Sequence, residues 1–387
     1  MARVRKLKEL GEIVTGNTPS MSDSRNYESN DICFIKPSDI HEEAITALES
    51  SEFFIAEYAR KKARIVPKGS ILVTCIGSIG KIGITEKECS FNQQINAILP
   101  NEELVDTSFL AHYLSYKKKE LQDLANSAVV PIINKSQFSE LEIKLPRLEH
   151  QKKTAHLLDF LDNIIYLRKE QLAKLDQLVK ARFVEMFGKI KYSIVRTSDV
   201  CDFITKGTTP LPQEIVSDAN NNIPFFKVYN LSFTGECLFE ENPQFVSRET
   251  HEKKLSRSKV FPKDVLMNIV GPPLGKFALV PDNFVECNIN QAIAIFRPLE
   301  KLNPVYLLHA LMQPRVLRPF LLQAEGVRQL NLSLEQCRNL EIPLPPLPLQ
   351  EEFATFVQKV DKSKAAVKQS LEKLETLKKS LMQEYFG

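Results

Sequence analysis

The chain states most of its content twice, and no other feature constrains its fold as much. Leu145-Pro146-Arg147-Leu148-Glu149-His150-Gln151 returns 199 residues later as Leu344-Pro345-Pro346-Leu347-Pro348-Leu349-Gln350. A long stretch follows each copy and ends in Phe-Gly, at Phe187-Gly188 and Phe386-Gly387. Upstream, Gly16-Asn17-Thr18-Pro19 matches Gly207-Thr208-Thr209-Pro210, and Ile32–Lys36 matches Ile223–Lys227. Ile76–Lys81 matches Val270–Lys276 with one residue inserted, and Asn92-Gln93-Gln94-Ile95 returns as Asn290-Gln291-Ala292-Ile293. Asn134-Lys135-Ser136 aligns with Asn331-Leu332-Ser333. The order is constant and the offset grows only from 191 to 199. A period this long belongs to duplication of a whole domain rather than to a solenoid.

Composition sets the remaining bounds. At 387 residues the chain has room for two ordinary domains, and 43% hydrophobic with 26% charged residues is a common soluble balance. No run of 18 apolar residues occurs, and the basic start Met1–Lys6 has no apolar segment behind it. The expectation is therefore a cytoplasmic protein with no membrane partner. Seven cysteines, odd in number and without a Cys-x-x-Cys pair, predict reduced buried thiols and no metal site. A net charge of +3 leaves any basic surface local.

The expected fold class is α+β. Ser70–Ile76 and Val265–Val270, with Ile95–Leu99 and Ala292–Phe296, are short β-branched runs of the kind that form buried strands. Thr107–Gln122 and Pro304–Gln323 carry helical periodicity. The expected division is a globular module over 1–145, a junction and central long helix over 146–188, a second module over 189–345, and a junction and final long helix over 346–387.

From Gln151 to Phe187 no proline or glycine intervenes, and Leu158, Leu161, Ile165, Leu172, Leu175, Val179 and Met186 recur at three and four. The second copy gives Val357, Val360, Val367, Leu371, Leu374, Leu381 and Tyr385. So narrow a seam suits a helix packed on one partner helix rather than one sunk in a broad core. Arg168 and Arg182 interrupt the first seam, Lys364 and Lys378 the second. About 35 residues at 1.5 Å each make a rod roughly 50 Å long. The two helices are natural partners for each other, and the same seam would also serve a coiled coil between two copies of the chain.

Catalytic chemistry is hard to assemble from these residues. Gly77-Ser78-Ile79-Gly80-Lys81 has too short a gap for a phosphate loop and Ile82 where Ser or Thr is required. Gly271-Pro272-Pro273-Leu274 lacks both the polar first residue and the aromatic last residue of the amino-methyltransferase motif. Both stretches are expected to be turns between strands. His112 and His309 fall at equivalent places in two helices, where packing is the simpler role. No nucleophile, base and orienter come together, so the chain is expected to be non-catalytic.

Two diverged modules alternating with two long helices, each introduced by Leu-Pro-x-Leu-x-x-Gln, resemble the specificity subunits of type I DNA restriction-modification systems. The resemblance covers the whole chain and rests on the paired junctions, the Gly-x-Thr-Pro segments, the Asn-Gln segments and the Gly-Lys turns. It implies that each module recognises one half of a split, asymmetric double-stranded DNA site. It also implies that the helices form an antiparallel coiled coil, set the spacer and help dock two adenine-methylating subunits. Those partners would carry S-adenosylmethionine, this chain would hold no cofactor, and two restriction subunits would join the core. An orphan DNA-binding or scaffold protein of the same architecture, and a self-sufficient methyltransferase, are the competing readings.

Phosphate contacts favour Lys, Ser, Thr and loop N–H groups, and base edges favour Arg, Lys, Asn and Gln. Lys36, Lys81, Asn92 and Gln93 recur as Lys227, Lys276, Asn290 and Gln291, which suits phosphate contact or internal bonding. Residues reading bases should differ between the copies. Asn17, Ser20, Ser22 and Arg25 are candidates in the first module, and Arg248, Lys253, Lys254, Arg257 and Lys259 in the second. Arg60, Lys61, Lys62 and Arg64 form the densest early basic run, and Thr18, Ser78, Thr208, Thr209 and Arg328 complete the candidate DNA-binding set.

Overall fold

The computed structural model describes residues 3–125, 130–188, 192–271, 273–323 and 331–387. Two compact units divide the chain, Met1–Glu170 with Lys368–Gly387, and Gln171–Val367. Each unit holds one module together with parts of both long helices.

In the first module a five-stranded sheet runs in the order Gly11–Thr15, Ile95–Pro100, Ile71–Thr74, Ile82–Thr85, Thr46–Leu48. A four-stranded sheet, Phe54–Ile55, Ile32–Ile35, Cys89–Phe91, Ile65–Val66, lies beside it. Side chains alternate across a strand. Ile71 and Val73 accordingly join a core with Phe109 and Tyr113 of the helix Thr107–Tyr116, while Leu72 joins one with Cys33 and Phe91. Covering both faces explains why these strands are apolar throughout rather than alternating.

The second module repeats this plan. Val265 and Met267 face a core with Tyr306 and Leu307, whereas Leu266 faces Phe226 and Ile289. Its sheets run Cys201–Lys206, Ile293–Pro298, Val265–Asn268, Phe277–Leu279 and Ile215–Val216, Phe245–Ser247, Asn222–Phe226, Cys287–Ile289, Lys259–Val260. In both modules a small antiparallel ribbon ties the beginning to the end: Arg3–Lys6 with Glu142–Leu145, and Ile194–Arg196 with Glu341–Pro343. All seven cysteines are free thiols, and six are buried.

The long helices span Leu148–Phe187 and Leu347–Phe386, beginning three residues before the glutamine that closes each junction motif. Within the first unit Lys378 meets Asp162 (2.5 Å) and Glu375 meets Lys169 (3.3 Å). Within the second, Lys364 meets Asp176 (2.6 Å) and Glu352 meets Arg182 (3.0 Å). One number rises as the other falls, so the helices pair antiparallel within one chain. Leu158, Leu161, Ile165, Val179, Val357, Val360 and Val367 are buried along this seam, and Leu172, Leu175, Leu371, Leu374 and Leu381 are half-buried.

The seam expectation fails at the helix ends. Tyr385 is exposed and its neighbour Phe386 is buried, while Phe183, Phe187 and Phe353 are buried where a bare two-helix seam would leave them outside. Phe386 packs edge-on against Phe109 and Tyr113, each with ring centroids 5.3 Å away. Phe187 packs against Tyr306 at 5.0 Å and Phe353 at 5.6 Å. Here the helices do enter a broad core, that of the module they lie against. The recurring Phe-Gly endings are thus two copies of one docking contact.

The last short helix of each module, Lys135–Ser139 and Leu334–Arg338, also corrects the alignment. Asn134 caps Lys135–Ser139 and bonds the Gln137 N–H, but in the second module the capping residue is Ser333, bonded to the Gln336 N–H. Asn134 therefore corresponds to Ser333 and not to Asn331.

Candidate nucleic-acid interface

A shared frame lies under both candidate surfaces. Gly16 N–H donates to Ile95 O (3.1 Å) and Gly207 N–H to Ile293 O (3.1 Å). A Cβ on Gly16 would sit 2.1 Å from Asn92 O, and one on Gly207 2.1 Å from Ile289 O. No side chain fits at either place, so the two recurrent segments recur together because they touch. Thr18 Oγ1 donates to Gln93 Oε1 (2.7 Å), and Gln291 N–H donates to Thr209 Oγ1 (3.4 Å). Thr208 is half-buried beside it.

The recurrent asparagines, and the backbones of the recurrent lysines, are engaged in local bonds. Asn92 is buried and accepts from the Gln94 N–H (3.1 Å), and Asn290 accepts from the Ala292 N–H (3.2 Å). Lys36 N–H bonds Asp39 Oδ2 (2.7 Å) and Lys227 N–H bonds Asn230 Oδ1 (2.8 Å), each closing a short 3-10 turn. Lys81 N–H bonds Thr74 Oγ1 (3.0 Å), and Lys276 N–H bonds Asn268 Oδ1 (2.7 Å). The Gly-Lys stretches are turns, with Gly77, Gly80, Gly271 and Gly275 all at positive φ. Ser78 is exposed at the tip of the first.

Where the modules differ, a cationic and aromatic surface appears. In the first module Arg25 makes two bonds to Asp23 (2.8 and 3.1 Å) and lies 4.6 Å from the Tyr58 ring centre. Lys62 reaches Asp23 (2.9 Å) and lies 4.0 Å from the same ring. These cations hold the Asp23 carboxyl well below the usual carboxylate range, Arg25 contributing first. Asn17 spends its amide on the backbone, donating to Lys62 O (2.7 Å) and accepting from the Arg64 N–H (2.7 Å). Arg60 pairs with Glu57 (2.5 Å) and Glu88 (2.7 Å). Lys36 Nζ sits 3.1 Å from the Phe53 ring centre. Ser20 and Ser22 bond each other (2.8 Å), and Lys61 is exposed.

In the second module Lys254 pairs with Glu214 (2.7 Å), matching the tie between Lys62 and Asp23 at nearly equivalent positions. Arg248 pairs with Glu286 (3.3 Å), Lys253 with Glu249 (2.9 Å) and Lys259 with Glu252 (2.6 Å). Arg257 is exposed, and Lys276 Nζ lies 5.7 Å from the Phe233 ring centre. Arg328 lies outside the described residues. Buried His251 gathers with Glu252 and Glu286, but Lys259 and Arg248 already meet these carboxylates and Asn288 bonds the other ring nitrogen (2.6 Å). That cluster is an internal ion network. Exposed ion pairs are worth at most about 1 kcal/mol, so the exposed cations among these are held by their carboxylates only weakly.

Sequence reasoning recognised the junction glutamine without its role. Gln151 and Gln350 are fully buried. Gln151 Oε1 accepts from the Asp106 N–H (3.0 Å), and its Nε2 donates to Leu104 O (3.3 Å) and Pro146 O (2.9 Å). Gln350 repeats this with the Asn303 N–H (2.8 Å), Lys301 O (3.3 Å) and Pro345 O (2.8 Å). Asp106 caps the helix Thr107–Tyr116 and Asn303 the helix Pro304–Leu311. The glutamine therefore clamps the long helix to the module.

Comparison with known proteins agrees with this arrangement. Residues 2–177 and 189–376 each match the type I restriction modification DNA specificity domain. The MjaIX type I restriction enzyme specificity subunit of Methanocaldococcus jannaschii is 27% identical over 380 residues, covering 92% of this chain and 85% of that protein. The HindI specificity subunit of Haemophilus influenzae is 33% identical over 165 residues, 40% of this chain and 35% of that protein. Among solved structures, the type I S subunit from M. genitalium superposes with a TM-score of 0.60 at 13% identity, covering 100% of this chain and 96% of that one. A chain from a type I R-M system studied for its assembly gives 0.57 at 19% identity, covering 100% and 97%. With both of its modules matched and the frame repeated in each, the chain belongs to the family of type I restriction modification DNA specificity domains, which it carries in two copies.

Proposed function

We propose that the chain is the DNA specificity subunit of a type I restriction-modification complex. Each module recognises one half of a bipartite, asymmetric double-stranded site, and the antiparallel helices fix the distance between the halves. One observation carries this reading: the frame repeats in both modules while the exposed cations and aromatics on it differ. Identical frames with different decoration suit two different short sequences approached in the same way. A turn of DNA, about 34–36 Å, is commensurate with helices of this length.

In this reading the chain performs no chemistry. Methylating an adenine requires it to be flipped into a pocket, which a partner would supply. Two methylation subunits would bring that pocket and S-adenosylmethionine, and restriction subunits would join them in the cytoplasm. Among the described residues no helix is long and apolar enough to cross a membrane, which agrees with that setting.

The test is to map N6-methyladenine in a host with and without this gene alongside its methylating partner. The expected result is a two-part motif with a fixed unspecified spacer that vanishes with the gene. Replacing residues 1–145 by another module should change one half of the motif only. A change in both halves, or no bipartite motif, would overturn the reading.

A further inference from the structure

Lys364 sits on the second long helix with only 7% of its surface exposed. A lysine in such a place needs counter-charges, because removing an ammonium from water is costly. It has two, from two different elements. Asp176 lies 2.6 Å away on the first long helix, and Glu236 lies 2.5 Å away on a loop of the second module. Burial alone would pull the ammonium below its ordinary value, but the bonds to Asp176 and Glu236 outweigh it and hold the group charged.

Glu236 is held by a stiff loop. Ser232 and Phe277 exchange both backbone bonds (3.0 and 2.8 Å), and the Glu236 N–H donates to Ser232 Oγ (2.8 Å). Gly235, at φ +85°, lies so close to Leu308 that a Cβ would come within 2.8 Å of its Cδ2. These contacts tie the backbone that carries Glu236 to the module.

The same device recurs in the first unit, in a looser form. Lys169 on the first long helix reaches Glu375 on the second helix (3.3 Å) and Glu43 on a loop of the first module (3.6 Å). All three are exposed, and they border an open groove of about 830 Å³ between the helices and the 43–44 loop. Glu375 and Asp176 occupy equivalent positions in the two helices, but the lysines do not: the position equivalent to Lys169 is Lys368, one turn beyond Lys364, and the position equivalent to Lys364 is Ile165.

We infer that Lys364 is a positioning residue that fixes the swivel of the second module on the helix pair and thereby sets how strictly the DNA spacer is measured. This rests on the bipartite reading proposed above. Adding one base pair shifts a half-site by about 3.4 Å and turns it by about 35°. A module tied at this point by a buried lysine between two partly exposed carboxylates, in addition to the Gln350 clamp and the Phe187 contact, resists that rotation. A module freed at this point follows it in part.

The experiment uses the full chain assembled with its methylation subunits, on duplexes whose two half-sites are separated by the native spacer or by one base pair more or less. The wild-type complex should methylate the native spacer much faster than either altered one. Lys364→Met should lower the ratio of native to altered spacer about tenfold, equivalent to about 1.4 kcal/mol, with half-site sequences unchanged. Lys364→Arg should restore the ratio, and Lys169→Met should leave it near wild type. If Lys364→Met does not fold, the combined Asp176→Asn, Glu236→Gln, Lys364→Met variant removes the pin without stranding two carboxylates and should show the same relaxation. Equal loss on every spacer, or an unchanged ratio in a folded variant, overturns the inference. If the wild-type complex shows no dependence on two half-sites, the bipartite reading itself fails, and the inference falls with it.

Discussion

Two buried polar side chains show most directly how the duplicated frame is held. His309 packs edge-on against Phe353, with ring centroids 5.2 Å apart, and burial, reinforced by Lys364 and Lys180, pushes its imidazole down from 6.5 to about 4. The folded state thus favours the neutral ring. Its contribution to stability is complete above about 6.5 and is lost as pH falls toward 4, by up to roughly 3 kcal/mol. Unfolding midpoints measured between pH 4 and 7 should show this dependence, and His309→Gln should flatten it. A wild-type curve with no slope there would contradict the assignment. Gln350 is the second case. Replacing it by Met leaves two carbonyls and one N–H without their buried partner and should cost about 3 kcal/mol in urea unfolding. A loss below about 1 kcal/mol would mean that water takes its place. Only the first of these roles was legible in the sequence. The equivalence of His112 and His309 pointed to packing, but the glutamine's partners include backbone atoms 45 and 47 residues away, which no side-chain pattern encodes.

At the level of elements, the strands, module helices and long helices follow from hydrophobic period and from proline and glycine placement, and the structure returns them within a few residues. The helical stretch Thr107–Gln122 breaks at Lys117, and the proline-led one after Leu311. The middle of the helix seam was legible for the same reason, since a strict three-four repeat has one physical meaning. The ends were not. One residue turns a helix face by about 100°, so Tyr385 in place of Phe386 is a small slip in numbering and a large one in direction. Only the aromatic core of a module decides which of the two is buried. This is open to measurement. Phe386→Ala should speed amide exchange in Thr107–Tyr116, and Phe187→Ala should do so in Pro304–Leu311, each substitution costing about 3–5 kcal/mol locally. Exchange that rises equally in both helices for either variant would argue against two separate docking contacts.

For the molecule as a whole, charge bears on binding more than on fold. A net charge of +3 says little, yet the surfaces where the modules differ carry many exposed cations. Binding of the assembled complex to DNA should weaken steeply with salt. Lys61→Ala or Arg257→Ala should each reduce the slope of log K against log salt by about 0.9 for every phosphate that is no longer neutralised. An unchanged slope in both variants would place the DNA elsewhere. The ion pairs across this surface were invisible beforehand, because Asp23 and Lys62 meet only after the strands between them are folded. The glutamine clamp has a further consequence, for how such a protein changes over generations. Its partners are the main-chain atoms of Leu104 and Asp106 in one copy and of Lys301 and Asn303 in the other. The side chains there already differ while the bonds are the same. A joint of this kind is indifferent to ancestry: a foreign module with the right backbone could be spliced in by recombination and seat correctly at once, so new target sites can be acquired in a single genetic event.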